Sequence, residues 1–321
     1  MKPRVAILDD TQNVAAQSAD WTRLAARCEI KSFSAPFASE DEAAEKLAGF
    51  DILVAMRERT AFPESLIARL PRLKLIALTG ARSPSLDLKA CAARGIVVSN
   101  TRNDYSHHAT AELALTLLLA AARMVPLADS TMKSGGWHAG VPLGTTLHGR
   151  TLGILGLGKL GAAMAAYGRA LGMNIIAWSQ NLTDAAAEAA GARRVEKLAL
   201  FQESDALSIH LVLSARTRGL IGAAELAALK DGAILINTSR GPIIDEAALV
   251  AELRKGRIRA GLDVFDQEPL PENHPLRGFP NAILTPHLGY GAGPVFRQWY
   301  EDSIENILAF LDGKPIRVIS V

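Results

Sequence analysis

Thr151-Leu-Gly-Ile-Leu-Gly-Leu-Gly-Lys-Leu-Gly161 decides the fold of this chain. A short apolar strand, Leu152 to Leu155, runs into Gly156-x-Gly158-x-x-Gly161, and a helix-like stretch follows to Gly172. That order is the fingerprint of a dinucleotide-binding βαβ unit, and each glycine has a task in it. Gly156 permits the tight turn from strand to helix, Gly158 lets the backbone approach a pyrophosphate, and Gly161 lets the helix pack closely on the sheet. The backbone N–H groups near Lys159, Leu160 and Gly161 would then face the pyrophosphate, with the helix dipole favouring its charge. Alone the motif is weak, because an ordinary glycine turn reads the same way. The strand before it, the helix after it and a second apolar strand at Asn174 to Trp178 supply the context it needs.

With 321 residues the chain has room for two domains of ordinary size, and 49% hydrophobic residues suffice for a sizeable core. A formal net charge of +2, with both signs scattered throughout, leaves no electrostatic footprint for nucleic acid or a membrane surface. The first apolar run stops at Asp9, too short for a signal peptide. The most apolar helical stretch, Leu113 to Met124, is shorter than a bilayer needs and has Glu112 and Arg123 at its ends. Cys28 and Cys91 stand apart, without metal-ligand spacing, and read as buried small hydrophobes. The expectation is a cytoplasmic protein with no metal site and neither nucleic acid nor membrane as partner.

The first hundred residues alternate strands and helices. Strands are expected at Arg4 to Leu8, Ile52 to Met56, Lys74 to Leu78 and Ile96 to Ser99. Helices are expected at Ala15 to Ala26, Glu40 to Leu47, Pro63 to Leu70 and Leu86 to Arg94. This alternation implies a small parallel α/β domain. Tyr105 to Met124 reads as a helix apolar almost all round, which must be covered on every side at a domain or subunit interface. Beyond the glycine fingerprint come strands at Ala206 to Leu211, Ala233 to Asn237, Ile258 to Asp263 and Ala282 to Thr285. The last helix, Pro294 to Leu311, follows the final strand and returns the chain to the first domain.

Downstream of the fingerprint lie Ile236-Asn-Thr-Ser-Arg-Gly241, then Gly261-Leu-Asp-Val-Phe-Asp-Gln-Glu-Pro269, then Thr285-Pro-His-Leu-Gly289. In this order the motifs resemble the D-isomer-specific 2-hydroxyacid dehydrogenases, the family of phosphoglycerate, glycerate and formate dehydrogenases, over nearly the whole chain. Hydride transfer to a 2-oxo acid needs a cation for the carboxylate, a proton donor for the carbonyl oxygen, and a device that keeps the donor charged. Arg240 follows an apolar strand, so its guanidinium would emerge at the carboxyl edge of a parallel sheet, with a planar fork suited to a carboxylate. His287 sits just past a strand, and an imidazole is the natural general acid near neutral pH. Glu268, before Pro269, would favour the imidazolium if it lay near His287. The resemblance implies that Arg240 binds and polarises the substrate, His287 moves the proton, and Glu268 supports His287. Singly, each reads more blandly: Arg240 as a helix cap or a partner of Asp245, His287 as a loop histidine, Glu268 as a solvated acid.

The resemblance also implies that Asp263 holds the nicotinamide carboxamide, with Thr238 in the cofactor set; the bland reading of Asp263 is a turn cap. It further implies that backbone N–H groups of Ala81, Arg82 and Ser83 hold the substrate carboxylate, where relatives usually carry a glycine and this chain has Arg-Ser-Pro. Arg57 and Arg59 follow a strand and could read a substrate anion, with Arg59 the better candidate for a merely solvated residue. About twenty residues past the fingerprint, where an NAD site carries an acid for the ribose, stands Ser179, followed by Gln180 and Asn181. No adjacent arginine greets a 2′-phosphate either; Arg193 and Arg194 are assigned to another element. The cofactor is therefore NAD or NADP, with NAD slightly favoured.

The resulting expectation is α/β, with two Rossmann-like or flavodoxin-like parallel-sheet domains and an interdomain cleft. Residues 1–100 and 290–321 form a discontinuous substrate domain, and residues 101–289 the NAD(P)-binding domain. The enzyme would reduce a small 2-oxo acid reversibly to the D-2-hydroxy acid, as a homodimer. Two rivals are a nicotinamide-sensing interaction protein of the same fold and a two-domain enzyme acting on an amino acid or nucleoside.

Overall fold

The computed structural model describes residues 2–320, and the chain divides into two units: Met1–Tyr105 with Gly291–Val321, and Ser106–Tyr290. Residues 1 and 321 lie outside the description.

In the first unit the chain runs β1 (Arg4–Ile7), α1 (Ala15–Ser18), α2 (Thr22–Ala25), β2 (Glu29–Ser32), α3 (Glu40–Leu47), β3 (Ile52–Ala55), α4 (Glu64–Ala68), β4 (Leu75–Leu78), α5 (Leu88–Ala93) and β5 (Val97–Asn100). The strands form one parallel sheet in the order β2-β1-β3-β4-β5. Ile52-Leu-Val-Ala55 and Leu75-Ile-Ala-Leu78 are buried at every position, as continuous apolar runs in a sheet covered on both faces must be. The expected single helix over Ala15 to Ala26 is two short ones. Asp20 Oδ1 accepts from Thr22 N at 3.0 Å and from its hydroxyl at 2.7 Å, while Trp21 Nε1 donates to Ala15 O at 2.7 Å. Such side-chain bonds compete with a continuous helical ladder.

The second unit runs α6 (Ser106–Arg123), α7 (Val125–Lys133), β6 (Thr151–Leu155), α8 (Lys159–Ala170), β7 (Asn174–Trp178), α9 (Asp184–Ala189), β8 (Arg193–Arg194), α10 (Lys197–Glu203), β9 (Ala206–Ile209), α11 (Ala223–Ala228), β10 (Ile234–Asn237), α12 (Glu246–Arg254), β11 (Arg259–Leu262) and β12 (Ala282–Leu284). Its seven strands are parallel throughout, in the order β12-β11-β10-β9-β6-β7-β8. The order reverses at β6, and open α/β sheets bind ligands at the carboxyl ends beside such a switch.

Helix α6 buries Ala111, Ala114, Leu117, Leu118, Ala121 and Ala122 within this unit, against α8 and the β10–β11 face. Its other side leaves Leu119 38% exposed, so the unit covers only part of the helix that the sequence reads as apolar all round. At Met124 the backbone enters the left-handed region (φ 55°) and α7 departs at 64°. Arg259 holds the break, donating to Ala121 O at 2.9 Å and to Thr145 Oγ1 at 3.0 Å.

After the second sheet, α13 (Gly293–Leu311) completes the first unit. Trp299 and Tyr300 are wholly buried there. Buried Asp302 takes the guanidinium of Arg102 at 2.6 Å and its backbone N–H at 2.7 Å. Asp104 N donates to Gln298 Oε1 at 3.0 Å. These bonds explain why residues 101–105 go with the first unit, although the sequence reading begins the second domain at 101. Among the described residues no single helix is long and apolar enough to cross a membrane, and no group of three or more His, Cys, Asp or Glu side chains could hold a metal.

Candidate active site

The glycine loop lies where β6 meets α8. Gly156 has φ 97° and donates from its N–H to Trp178 O at 2.8 Å; a Cβ there would stand 2.8 Å from His210 O. A Cβ on Gly161 would come within 2.1 Å of Gly156 O, so the helix can approach the turn only through a glycine. Gly158 meets the opposite condition, with nothing within 4 Å of its missing side chain. Lys159, Leu160 and Gly161 form the first turn of α8, where backbone N–H groups have no acceptor inside the helix. A tight turn, an open approach and a first turn of unsatisfied donors fit a pyrophosphate. Ser179 leaves the carboxyl end of neighbouring β7, and Leu182 N closes a turn onto its carbonyl at 3.0 Å. Across β9, Thr238 is buried, and its Oγ1 has no hydrogen-bond partner among the described residues, a donor left for a bound group. The residues present therefore fit a nicotinamide dinucleotide.

His210 follows β9 directly. Burial pushes its imidazole down to about 4, so the ring is neutral, and Nε2 lies 2.8 Å from Ser208 Oγ.

Three adjacent strands, β10, β11 and β12, present the expected catalytic residues. At the end of β10, Asn237 folds the following loop back: its Nδ2 donates to Arg240 O at 3.0 Å and its Oδ1 accepts from Ser239 N at 3.0 Å. Arg240 Nη1 donates to Ser239 O at 2.7 Å, while Asp245 instead caps α12 through Ala248 N at 3.1 Å. Beyond β12, His287 sits at φ 53°, a conformation uncommon for a residue with a side chain. Its N–H donates to Asp263 O at 2.9 Å and to Thr285 O at 3.0 Å. From the loop after β11, Glu268 Oε2 meets His287 Nδ1 at 2.5 Å, and Glu268 Oε1 accepts from Phe265 N at 2.9 Å. Burial opposes the Glu268 charge, but the hydrogen bond and charge of His287, the Phe265 N–H and the charge of Arg240 hold its carboxyl below the usual range. The Glu268-Pro269 peptide bond is cis.

Asp263 braces the same loop. Its Oδ1 accepts from Thr285 Oγ1 at 2.6 Å and Leu288 N at 2.7 Å, and its Oδ2 from Gly289 N at 2.8 Å. Burial pushes its carboxyl up against these bonds and the His287 charge. These three bonds cap the turn that carries His287. Two further braces carry no signal in sequence order. Glu246 accepts from Asp266 N at 3.3 Å and meets His274 Nε2 at 3.0 Å, pinning the loop that carries Glu268. Gly241 lies so close to that loop that a Cβ would be 2.1 Å from the Phe265 carbonyl carbon.

In the first unit, Arg57 follows β3 at φ 51°, with its N–H on Thr79 Oγ1 at 3.0 Å and its Nε 3.5 Å from Glu58 Oε2. Its side chain lies against Gly80, where a Cβ would stand 2.4 Å from Nη1. The loop after β4 is tied by Gly80 N to Thr101 Oγ1 at 2.8 Å and by Asn100 Nδ2 to Ala81 O at 3.2 Å. Ala81 and Arg82 are exposed, and Ser83 Oγ lies 2.8 Å from Ser85 Oγ. Arg59 donates to Thr11 Oγ1 at 2.8 Å and to Asp9 O at 3.3 Å, a structural tie.

Residues 115–289 match the family model of the D-isomer specific 2-hydroxyacid dehydrogenase, NAD binding domain. A glyoxylate reductase of Aeropyrum pernix is 42% identical over 257 residues, 78% of this chain and 76% of that protein. A D-3-phosphoglycerate dehydrogenase of Methanocaldococcus jannaschii is 38% identical over 253 residues, which span 78% of this chain but 48% of that protein. A crystal structure of a putative D-3-phosphoglycerate dehydrogenase oxidoreductase from Ralstonia solanacearum superposes with a TM-score of 0.93 at 36% identity, over 99% of this chain and 96% of that one. The chain therefore belongs to the D-isomer specific 2-hydroxyacid dehydrogenases, oxidoreductases that use NAD or NADP to interconvert a small 2-oxo acid and its D-2-hydroxy acid.

Proposed function

We propose that Arg240, Glu268 and His287 carry the chemistry, and that the substrate is a small unphosphorylated 2-oxo acid of the glyoxylate class. The observation that carries the assignment of roles is the short His287–Glu268 contact beside Arg240, with the Glu268 carboxyl held ionised. When bound, the reduced nicotinamide supplies a hydride to the carbonyl carbon. Arg240 binds the substrate anion and polarises its carbonyl through a bidentate fork. With Nδ1 engaged by Glu268, His287 Nε2 is the nitrogen that hands its proton to the carbonyl oxygen as that oxygen gains charge. Glu268 fixes the ring's orientation and balances the imidazolium. Gly156, Gly158, Lys159, Leu160 and Gly161 take the pyrophosphate, Ser179 the ribose, and Thr238 and Asp263 the nicotinamide end. Arg57 and the N–H groups of Ala81, Arg82 and Ser83 bind the substrate.

The Arg57–Glu58 pair supports the unphosphorylated choice, because a carboxylate beside the guanidinium offsets the charge a phosphate would need. Exposed Val125, Met132, Trp137 and Leu143, the last 96% exposed, support a homodimer formed through α7 and the loop after it. Two buried free thiols support a cytoplasmic location. The test is a panel: NADH or NADPH against glyoxylate, hydroxypyruvate, phosphohydroxypyruvate and larger 2-oxo acids, followed by loss of nicotinamide absorbance. Turnover with glyoxylate or hydroxypyruvate well above that with phosphohydroxypyruvate is expected. Turnover confined to phosphohydroxypyruvate would sink the substrate class.

A further inference from the structure

The residues that follow β7, Ser179-Gln180-Asn181, carry no charge with which to distinguish a ribose hydroxyl from a 2′-phosphate. The sheet supplies charges that sequence order hides. Strand β8 lies beside β7 in parallel, with Arg193 opposite Ile176 and Arg194 opposite Ala177, and Val195 N donating to Ala177 O at 3.0 Å. Continued by two residues, that register would bring Glu196 level with Ser179. The turn after Ser179 ends at once in α9, whose first residue is Asp184. Arg194 bridges the two acids: its guanidinium lies 3.2 Å from Glu196 Oε1 and 3.6 Å from Asp184 Oδ1. Arg193 is bound elsewhere, to Glu203 of α10.

We infer that Asp184 and Glu196 make the chain prefer NADH over NADPH, by occupying Arg194 and by setting two carboxylates around a single guanidinium at the rim where the adenosine ribose binds. A 2′-phosphate brings nearly two negative charges to a rim that already carries a net −1 from these three side chains. The cation that would accept that phosphate is already shared between acids. A ribose hydroxyl meets no such opposition and needs only a polar neighbour such as Ser179. The acid missing from position 179 is thus replaced by one from the adjoining strand and one from the following helix. This inference rests on the dinucleotide site read at Gly156 to Gly161.

Binding, rather than turnover, tests it. Isothermal titration of the full chain with NADH, NADPH, 5′-AMP and adenosine 2′,5′-bisphosphate would measure the discrimination directly. The side chains are exposed, 87% for Asp184 and 79% for Glu196, so each acid is expected to count for only a few-fold, and the pair for about tenfold in the NADH:NADPH affinity ratio. Asp184→Asn with Glu196→Gln should tighten NADPH and the bisphosphate by about that factor, leave NADH within roughly twofold, and lose the effect at high salt. Adding Arg194→Met should remove the share of the gain that a released guanidinium supplies and leave only the smaller share from relieved repulsion. Circular dichroism verifies that the variants fold. Equal affinity of the unaltered chain for NADH and NADPH would overturn the inference, as would a double variant with an unchanged ratio. A chain that binds none of the four ligands would instead remove the dinucleotide reading beneath it.

Discussion

Replacing Gly241 with alanine asks whether the catalytic loops depend on the spacing their backbones give them. The new Cβ would stand 2.1 Å from the Phe265 carbonyl carbon, 2.3 Å from its oxygen and 2.5 Å from Asp266 N. Carbon atoms in contact rest about 3.5–4 Å apart, so the two loops must part by roughly 1.4 Å or more. No flexible side-chain end is available to yield. Phe265 N is held by Glu268 and Asp266 N by Glu246, so the displacement passes to Arg240 on one side and Glu268 on the other. Misplacing a catalytic group by about 1 Å costs on the order of 100-fold, near 2.7 kcal/mol of barrier. Overpacking itself should cost roughly 1–3 kcal/mol of stability. Steady-state kinetics with glyoxylate, NADH titration and thermal unfolding separate the two effects. The expected variant has kcat lowered about 100-fold and NADH affinity within about threefold of the original, since the glycine loop belongs to β6 and α8. Gly278→Ala is the control, with nothing within 4 Å of its Cβ position. A Gly241→Ala enzyme with unchanged kcat would refute the idea that loop spacing sets the chemistry.

Other outcomes follow from the same geometry. His287→Ala should nearly abolish turnover while sparing cofactor binding; loss of both would point to misfolding. His210 is neutral in the fold with its pKa lowered to about 4, whereas the unfolded chain takes up a proton near pH 6.5. The stability it contributes is present above pH 6.5 and lost as pH falls toward 4, by at most roughly 3 kcal/mol because the residue is only partly buried. His210→Gln should flatten that acid limb in denaturant titrations at several pH values; an unchanged limb would exclude His210 as its source. Trp137→Glu with Leu143→Asp should leave monomers in light scattering if the loop after α7 pairs two copies, and an intact dimer would move the interface elsewhere.

The sheets were legible where burial on both faces writes itself as an apolar run, as in Ile52-Leu-Val-Ala55 or Ile234-Leu-Ile-Asn237. Two edge strands, β2 and β8, escape such reading. Glu29-Ile-Lys-Ser32 is mostly exposed, and Arg193-Arg194 is two charged residues that pair with β7. At the site, Arg240, Glu268 and His287 could be picked out because each follows a strand in a recognisable motif. That β10, β11 and β12 are neighbours in the sheet, and so bring the His287 ring to Glu268, is a tertiary fact. Asp263 could be read as a turn cap, but not as a carboxylate that turns back to hold Leu288 and Gly289. Sequence order lists partners without saying which of them meet.

The return of α13 to the first unit sets an order of assembly. Val98 O receives Ile319 N at 2.8 Å, Asn100 O receives Asn306 Nδ2 at 2.8 Å, and Asp302 anchors Arg102. A ribosome releases Ser106–Tyr290 as an uninterrupted segment before it delivers these partners. The unit bearing Arg240, Glu268 and His287 can therefore close while the earlier-made unit still waits for its last helix, reversing the usual rule that the amino-terminal domain folds first. During that interval the hydrophobic floor destined for Trp299 and Tyr300 stands bare, which leaves the growing chain open to aggregation until α13 emerges.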